Sequence, residues 1–463
     1  MKGIVIAATQ SGSGKTTITS GMMASLRRKG KKVAPYKIGP DFIDPGHHAR
    51  ITKGISRNLD GWMLSQSYNL RCFGDAAMGA DFAIVEGVMG LFDGYDGKSE
   101  AGSTAQMAKW LGLPVLLIVN AGSMARSVAA IVQGFENFDP DLNFAGVIFN
   151  NVASERHLIY LQEAIENTVK MPCWGGIPRN SDICIPERHL GLVTSDEFSL
   201  PQSTIDLMAD MIEKHIDLES HIMQLPEIKG QLTQRQSKTR SPKKVRIAVA
   251  RDKAFCFYYP DNFDWLIHYG AELVFFSPTA DQNLPTDIGG IYFGGGYPEL
   301  FAEQLSRNHS LLHGIKEQSI NHMPIYGECG GFMYLCQSIK TYDQKKTFTM
   351  ADCFPFHTCM SKKLTALGYR EVHLEQDTII GKKGMTARGH EFHYSTLDHP
   401  ISEKIQKCYQ VAERKNVPAF QEGYQMNQTL GSYIHLHFGS LPELAENFVN
   451  NCHEFKRRSH AAQ

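Results

Sequence analysis

The sequence predicts an α/β protein of two doubly wound domains, and three observations carry that expectation. Its 463 residues exceed what one hydrophobic core usually organises. Short apolar runs alternate with crossover-length helical stretches, the pattern of a parallel sheet. Between the two halves, residues 229–244 are polar, basic and almost free of apolar side chains, as an exposed linker would be. The expected parts are a first domain over residues 1–228, a linker over 229–244 and a second domain over 245–463.

Composition narrows the function classes. A formal net charge of -1 leaves no basic excess to neutralise a phosphate backbone, so nucleic acid is not an expected partner. No apolar run approaches a membrane span, and residues 113–119 have only strand length. The chain enters its first strand without a leader pattern, and a cytoplasmic location is expected. Ten cysteines are scattered without a C-x-x-C pair, which reads as reduced thiols with no zinc site. His390 and His393 lie three apart among strand-like residues, and no second ligand pair at a recognisable spacing supports a metal there.

In the first domain, residues 2–8 form an apolar strand that runs straight into Thr9-Gln-Ser-Gly-Ser-Gly-Lys-Thr-Thr17 and then a helical stretch to Lys29. Strand, glycine-rich loop, Lys-Thr and helix are the context of a P-loop. Backbone N–H groups from Gly12 through Ser13 and Gly14 to Thr16 would cradle phosphates, with Thr17 beside them. Lys15 would reach the β and γ oxygens, and Thr16 would hold Mg²⁺. Thr9 stands where the motif usually has its first glycine. Further strands are expected at 33–37, 81–88, 115–119 and 144–150, and carboxylates fall at or beyond their ends. Asp44, Glu86 and Asp93 are in such places, where a P-loop enzyme needs acids to hold Mg²⁺ directly or through water. Asp41 reads as a loop cap, and His47 and His48 as polar loop residues or substrate contacts. Residues 171–193 are rich in Gly, Pro and Arg, and Arg179 and Arg188 could meet an anion there.

The second domain opens with a strand at 245–250, a helix at 260–269 and a strand at 272–277. Residues 289–299 read as a strand ending in Gly-Gly-Gly-Tyr-Pro-Glu. Residues 325–331 (Ile-Tyr-Gly-Glu-Cys-Gly-Gly) read as a buried strand that delivers Cys329 to a sharp strand-to-helix turn, a cysteine nucleophile elbow. A lone intracellular cysteine is most often just buried, but two features argue for chemistry. N–H groups of Gly295 and Gly296, with that of Gly330, could face a developing oxyanion. Downstream, Tyr433-Ile434-His435-Leu436-His437 is a strand whose His435 or His437 could activate the thiol.

With both halves read, the chain strongly resembles the cobyrinate/hydrogenobyrinate a,c-diamide synthase family, over essentially its whole length. The carriers are residues 9–17, 36–45, 85–94, the loop from Gly294, residues 327–331, 388–395 and 433–438. The first half is similar to dethiobiotin-synthetase-type P-loop domains, whose first loop glycine need not be kept, and the second to triad-type class I glutamine amidotransferase domains. The resemblance assigns His435 as the partner of Cys329. Many such glutaminases carry a glutamate two residues after that histidine; here it is His437, so the thiol relies on a Cys–His dyad or on a third group such as Glu391.

The resemblance implies ATP, L-glutamine and a corrinoid carboxylate macrocycle as small-molecule substrates, Mg²⁺ as cofactor, and Asp93 and Asp41 near the substrate or its intermediate. Cys329 would release ammonia from glutamine, and the first domain would phosphorylate the a and c carboxylates for ammonia to displace phosphate. A homodimer is compatible with this reading. Hydrogenobyrinic acid and nickel sirohydrochlorin are rival acceptors within the class. Cobyric acid synthesis fits less well with residues 41–45 and the overall length. From another class, a P-loop switch ATPase with an inactive second domain would explain the first 200 or so residues but not Cys329, His435 and the glycine loop.

Overall fold

The computed structural model describes residues 1–179, 183, 187–188, 191–192, 200–228, 244–398, 405–413 and 417–461, without the side chains of 187–188, 191–192 and 460–461. The expected linker, save Lys244, and the side chain of Arg188 lie outside the described residues; Arg179 is exposed. The chain separates into two compact units, Met1–Gln236 and Ser237–Gln463.

The first unit is built on seven strands, β1 (Lys2–Ala8), β2 (Val33–Ile38), β3 (Arg57–Leu59), β4 (Phe82–Glu86), β5 (Val115–Asn120), β6 (Phe144–Val152) and β7 (Cys173–Pro178). They lie in the order β3-β2-β4-β1-β5-β6-β7, every neighbour parallel. Helices on both faces explain why Ile4 to Ala8 and Val115 to Val119 read as unbroken apolar runs: neither face of these strands meets water. Chain order reverses at β1, so the crevice beyond its carboxyl end is where such a sheet receives a ligand. Helix α1 (Lys15–Arg28) starts there and packs its Ile18, Met22 and Met23 into the core.

The second unit has a parallel half and an antiparallel half in one ten-stranded sheet. Ala271–Phe276, Val245–Ala250, Gly290–Phe293, Ile325–Glu328 and Thr429–Ser432 are parallel neighbours in that order. The sheet continues antiparallel through Phe420–Met426, Gln406–Ala412, Ala366–Leu374 and Thr386–His393 to Ile434–Leu436 at the edge. Thr429–Ser432 and Ile434–Leu436 are separated by Tyr433 alone, yet they lie five strands apart in the sheet order. The antiparallel half must therefore roll over on itself until its last strand returns beside the end of Ile325–Glu328. That roll carries His435 to the cysteine elbow, and the Leu436 N–H, donating to Glu328 Oε1 at 3.1 Å, fastens it.

Among the described residues no helix is long and apolar enough to cross a membrane.

Candidate active sites

The loop between β1 and α1 takes the form that phosphate binding requires. Gly12 and Gly14 have φ of 76° and 89°, left-handed values that turn successive N–H groups inward. Asn150, at the end of β6, braces the loop by donating from Nδ2 to the Ser13 carbonyl at 2.9 Å. Thr9 is not at positive φ and donates its N–H to Ile118 O at 3.2 Å, continuing the strand, so a glycine is not needed there. Thr17 follows half-buried in α1.

Below the loop is a buried charge cluster whose centre the motifs do not reveal. Lys37 Nζ, on β2, donates to Asp44 Oδ2 at 2.5 Å, to Glu86 Oε1 at 3.0 Å and to the Gly87 carbonyl at 3.2 Å, and lies 3.9 Å from Asp41. Thr16 Oγ1 donates to Glu86 Oε1 at 2.7 Å, and His48 Nε2 meets Glu86 Oε2 at 2.7 Å. His47 and His48, expected in a loop, are buried on helix α2 (Ile43–Thr52), whose first turn is capped by Asp41. Burial opposes ionisation of Glu86, but the Lys37 charge and the His48 hydrogen bond outweigh it and hold the carboxyl below its ordinary range. Burial lowers an amine in principle; Asp44 and Glu86 overcome this and hold Lys37 charged. Lys15 donates to the Met89 carbonyl at 2.7 Å, and burial beside the Lys37 charge lowers its pKa to about 8. Asp93 is exposed and accepts from the Gly90 N–H at 2.9 Å.

Among the described residues no group of three or more His, Cys, Asp or Glu side chains is placed so that those side chains alone could hold a metal ion. One atom nevertheless fits Mg²⁺: Asp44 Oδ1 is buried without a hydrogen-bond partner, and burial and the neighbouring Glu86 charge raise its carboxyl's pKa. A cation beside it would satisfy the oxygen and stabilise the ionised form.

In the second unit Cys329 stands at φ 46°, ψ -103° between the Ile325–Glu328 strand and the Gly330–Leu335 helix. Such a backbone is strained for any residue with a Cβ and is held by the Cys329 N–H donating to Ser432 O at 2.7 Å. A Cβ on Gly330 would come within 3.0 Å of the Gly296 nitrogen, so two of the three expected oxyanion donors are neighbours. Gly295 differs from expectation. Its N–H donates to the Phe257 carbonyl at 3.2 Å and is spent in a β-bridge. Its role is to leave room: a Cβ there would stand 2.3 Å from His435 Cε1. Burial, reinforced by the Glu299 charge, raises the Cys329 thiol, so a base must take its proton.

His435 is buried, stacked on His390 at 4.9 Å, with Nδ1 3.9 Å from Glu328 Oε2. Glu391, one candidate for a third group beside the alternative of a Cys–His dyad, is engaged elsewhere. It accepts from Arg370 Nε at 2.6 Å and meets His393 Nε2 at 2.8 Å, while Arg370 also reaches Glu413 at 2.7 Å. His437 Nδ1 accepts the Gly439 N–H at 3.0 Å, and its ring lies 4.5 Å from that of Tyr259.

Residues 4–193 match the CobQ/CobB/MinD/ParA nucleotide binding domain, and residues 246–442 the CobB/CobQ-like glutamine amidotransferase domain. The chain is 44% identical over 450 residues to the cobyrinate a,c-diamide synthase of Leptospira interrogans, covering 97% of this chain and 98% of that one. It belongs to the cobyrinate a,c-diamide synthase family. The same-named protein of Dehalococcoides mccartyi is 43% identical over 98% of both chains, and that of Methanosphaera stadtmanae 38% over 98% of this chain and 100% of its own. As a member of this family, the chain is a glutamine-dependent amide ligase with a nucleotide-binding and an amidotransferase domain.

Glu422 also supports the elbow. It accepts from Ser432 Oγ at 2.6 Å and from the Tyr433 N–H at 2.8 Å, and burial raises its pKa to about 8. Against an unfolded value of about 4.3, the folded chain keeps a proton that the unfolded chain releases. Stability from this group is therefore full at or below about pH 4.3 and declines as pH rises toward 8. Glu422→Gln is expected to lift this dependence, raising Tm by about 3 °C or more at pH 8.5 and leaving it unchanged near pH 4.5, in thermal melts followed by circular dichroism.

Proposed function

We propose that the chain converts cobyrinic acid to its a,c-diamide in the cytoplasm, activating each carboxylate with ATP and amidating it with ammonia drawn from glutamine. The observation that carries the reading is similarity at 43–44% identity, over 97–98% of the chain, to proteins named for that reaction. Two chemical needs explain the two sites. Hydroxide is too poor a leaving group for ammonia to displace, and an amide must be opened before it yields ammonia.

In the second unit the Cys329 thiolate attacks the glutamine side-chain carbonyl while His435 holds the thiol proton. N–H groups of Gly296 and Gly330 receive the oxyanion. The tetrahedral species collapses to a glutamyl thioester as His435 protonates the departing ammonia, and water then releases glutamate. In the first unit the N–H groups of Gly12 to Thr16 and the ammonium of Lys15 bind the phosphates of ATP. The substrate carboxylate takes the γ-phosphoryl group, ADP leaves, and ammonia displaces phosphate from the acyl phosphate. Thr16, Asp44 and Glu86 would hold Mg²⁺, whose charge offsets that of the phosphates when it is bound. Asp93 and Asp41 lie on the loops nearest this cluster and contact the substrate or its acyl phosphate.

The test is product mass after incubating the chain with Mg-ATP, glutamine and, in parallel, cobyrinic acid, hydrogenobyrinic acid or nickel sirohydrochlorin. Two carboxylates becoming amides on cobyrinic acid, with two ADP per product, is the expected result. Diamidation of another macrocycle alone would reassign the acceptor. ATP turnover without amidation of any of them would leave a nucleotide switch with an idle second domain.

A further inference from the structure

Resting on the Cys329–His435 reading, we infer that Glu328 is the positioning carboxylate of the glutaminase site, supplied by the residue immediately before the nucleophile. The sequence position that usually carries this carboxylate holds His437, whose Nδ1 accepts from the Gly439 N–H. Glu391 is held by Arg370 and His393. Glu328 is buried, and its two oxygens are held unequally. Oε1 accepts from Tyr326 OH at 2.7 Å and from the Leu436 N–H at 3.1 Å; Oε2 accepts from Tyr292 OH at 3.1 Å and faces His435 Nδ1 at 3.9 Å.

The geometry explains itself from the chain. Side chains alternate along a strand, so Cys329 turns outward at the elbow while Glu328 points back toward the strand that bears His435. The Leu436 N–H pins Oε1 to that strand one residue beyond the histidine, which leaves Oε2 beside the imidazole. A shift of under about 1 Å closes the remaining gap, an ordinary tightening between a resting site and one holding substrate. In that position the carboxylate accepts a hydrogen bond from Nδ1–H, which directs the free Nε2 to the thiol, and its charge stabilises the imidazolium that forms when Nε2 takes the thiol proton.

Glu328→Gln keeps the size and an acceptor oxygen but removes the charge. Its kcat for glutamine hydrolysis is expected to fall about a hundredfold or more, with KM for glutamine within twofold and amidation from ammonium salts unchanged. Glu328→Asp is expected to lie between the two, about tenfold below the unaltered chain, and it serves as the readout should Glu328→Gln fail to fold. Unaltered kcat in either variant overturns the inference, as does a loss of ammonia-dependent amidation in parallel, which would mark a merely structural carboxylate. Cys329→Ala is the control: if it retains glutamine hydrolysis, the Cys–His reading itself fails, whereas an inactive Cys329→Ala beside a fully active Glu328→Gln removes only the role of Glu328.

Discussion

Cys329→Ala is expected to lower glutamine-dependent amidation by about 10⁴-fold or more while amidation from ammonium salts stays within about twofold of the unaltered chain. The thiol is the group that converts a stable amide into a thioester, and the alanine variant keeps only the binding and oxyanion contributions. The strained backbone at φ 46° argues for the same assignment: a left-handed cysteine is a cost that a merely buried thiol would not need. Relief of that strain adds a second signature. Cys329→Gly, equally without a nucleophile but free to adopt the left-handed conformation, is expected to melt at or above the alanine variant. The measurement is ADP release and product mass with each nitrogen source in turn. A variant that still uses glutamine at wild-type rate would show that the elbow holds no nucleophile.

The parts of this molecule that were legible in sequence are those whose chemistry is local. The phosphate loop lies within nine consecutive residues, and the elbow lies between glycines at 327, 330 and 331. The parallel strands were legible for a related reason, since burial on both faces writes them as continuous apolar runs. Lys37 escaped notice because it sits inside such a run, between Tyr36 and Ile38, and its partners Asp44 and Glu86 lie 7 and 49 residues on. Glu328 was hidden by its neighbour, since a carboxylate beside a nucleophile reads as part of the turn. The antiparallel half left little trace: its register is set by pairings such as His390 with His435, and alternation in half-buried strands is weaker than a solid apolar run. The reading of Gly295 as an oxyanion donor failed on the same ground, because the bridge to Phe257 that consumes its N–H joins residues 38 apart. The histidines at 47 and 48 read as loop residues, and Pro45 and Gly46 just before them mask the helix that carries them. In fact the proline stands in the first turn of α2, where its missing N–H costs nothing.

Lys37→Met should lower stability as well as amidation from either nitrogen source. Methionine fills nearly the same space, so the effect comes from charge. Two buried carboxylates, Asp44 and Glu86, lose the cation they share, and breaking a buried ion pair by removing one partner costs about 3–5 kcal/mol. The pH dependence identifies the cause. In the unaltered chain Glu86 is held below its ordinary range, so its stabilising contribution is present above the unfolded value of about 4.3 and is lost as pH falls through the folded one. Without Lys37 both carboxyls shift upward and fold best protonated, while the unfolded chain still ionises them near pH 4. The variant should therefore lose stability as pH rises from about 5 to 8, and the gap in Tm between it and the unaltered chain should widen over that range. Amidation should fall about 10²–10³-fold with either nitrogen source, since Thr16 and Glu86 would no longer be held in register beneath the phosphates. Glutamine hydrolysis should persist, because Cys329, His435 and Glu328 all belong to the second unit. A Tm gap that is flat in pH would show that Lys37 acts by packing, and full amidation would show that the cluster beneath the loop is structural rather than part of carboxylate activation.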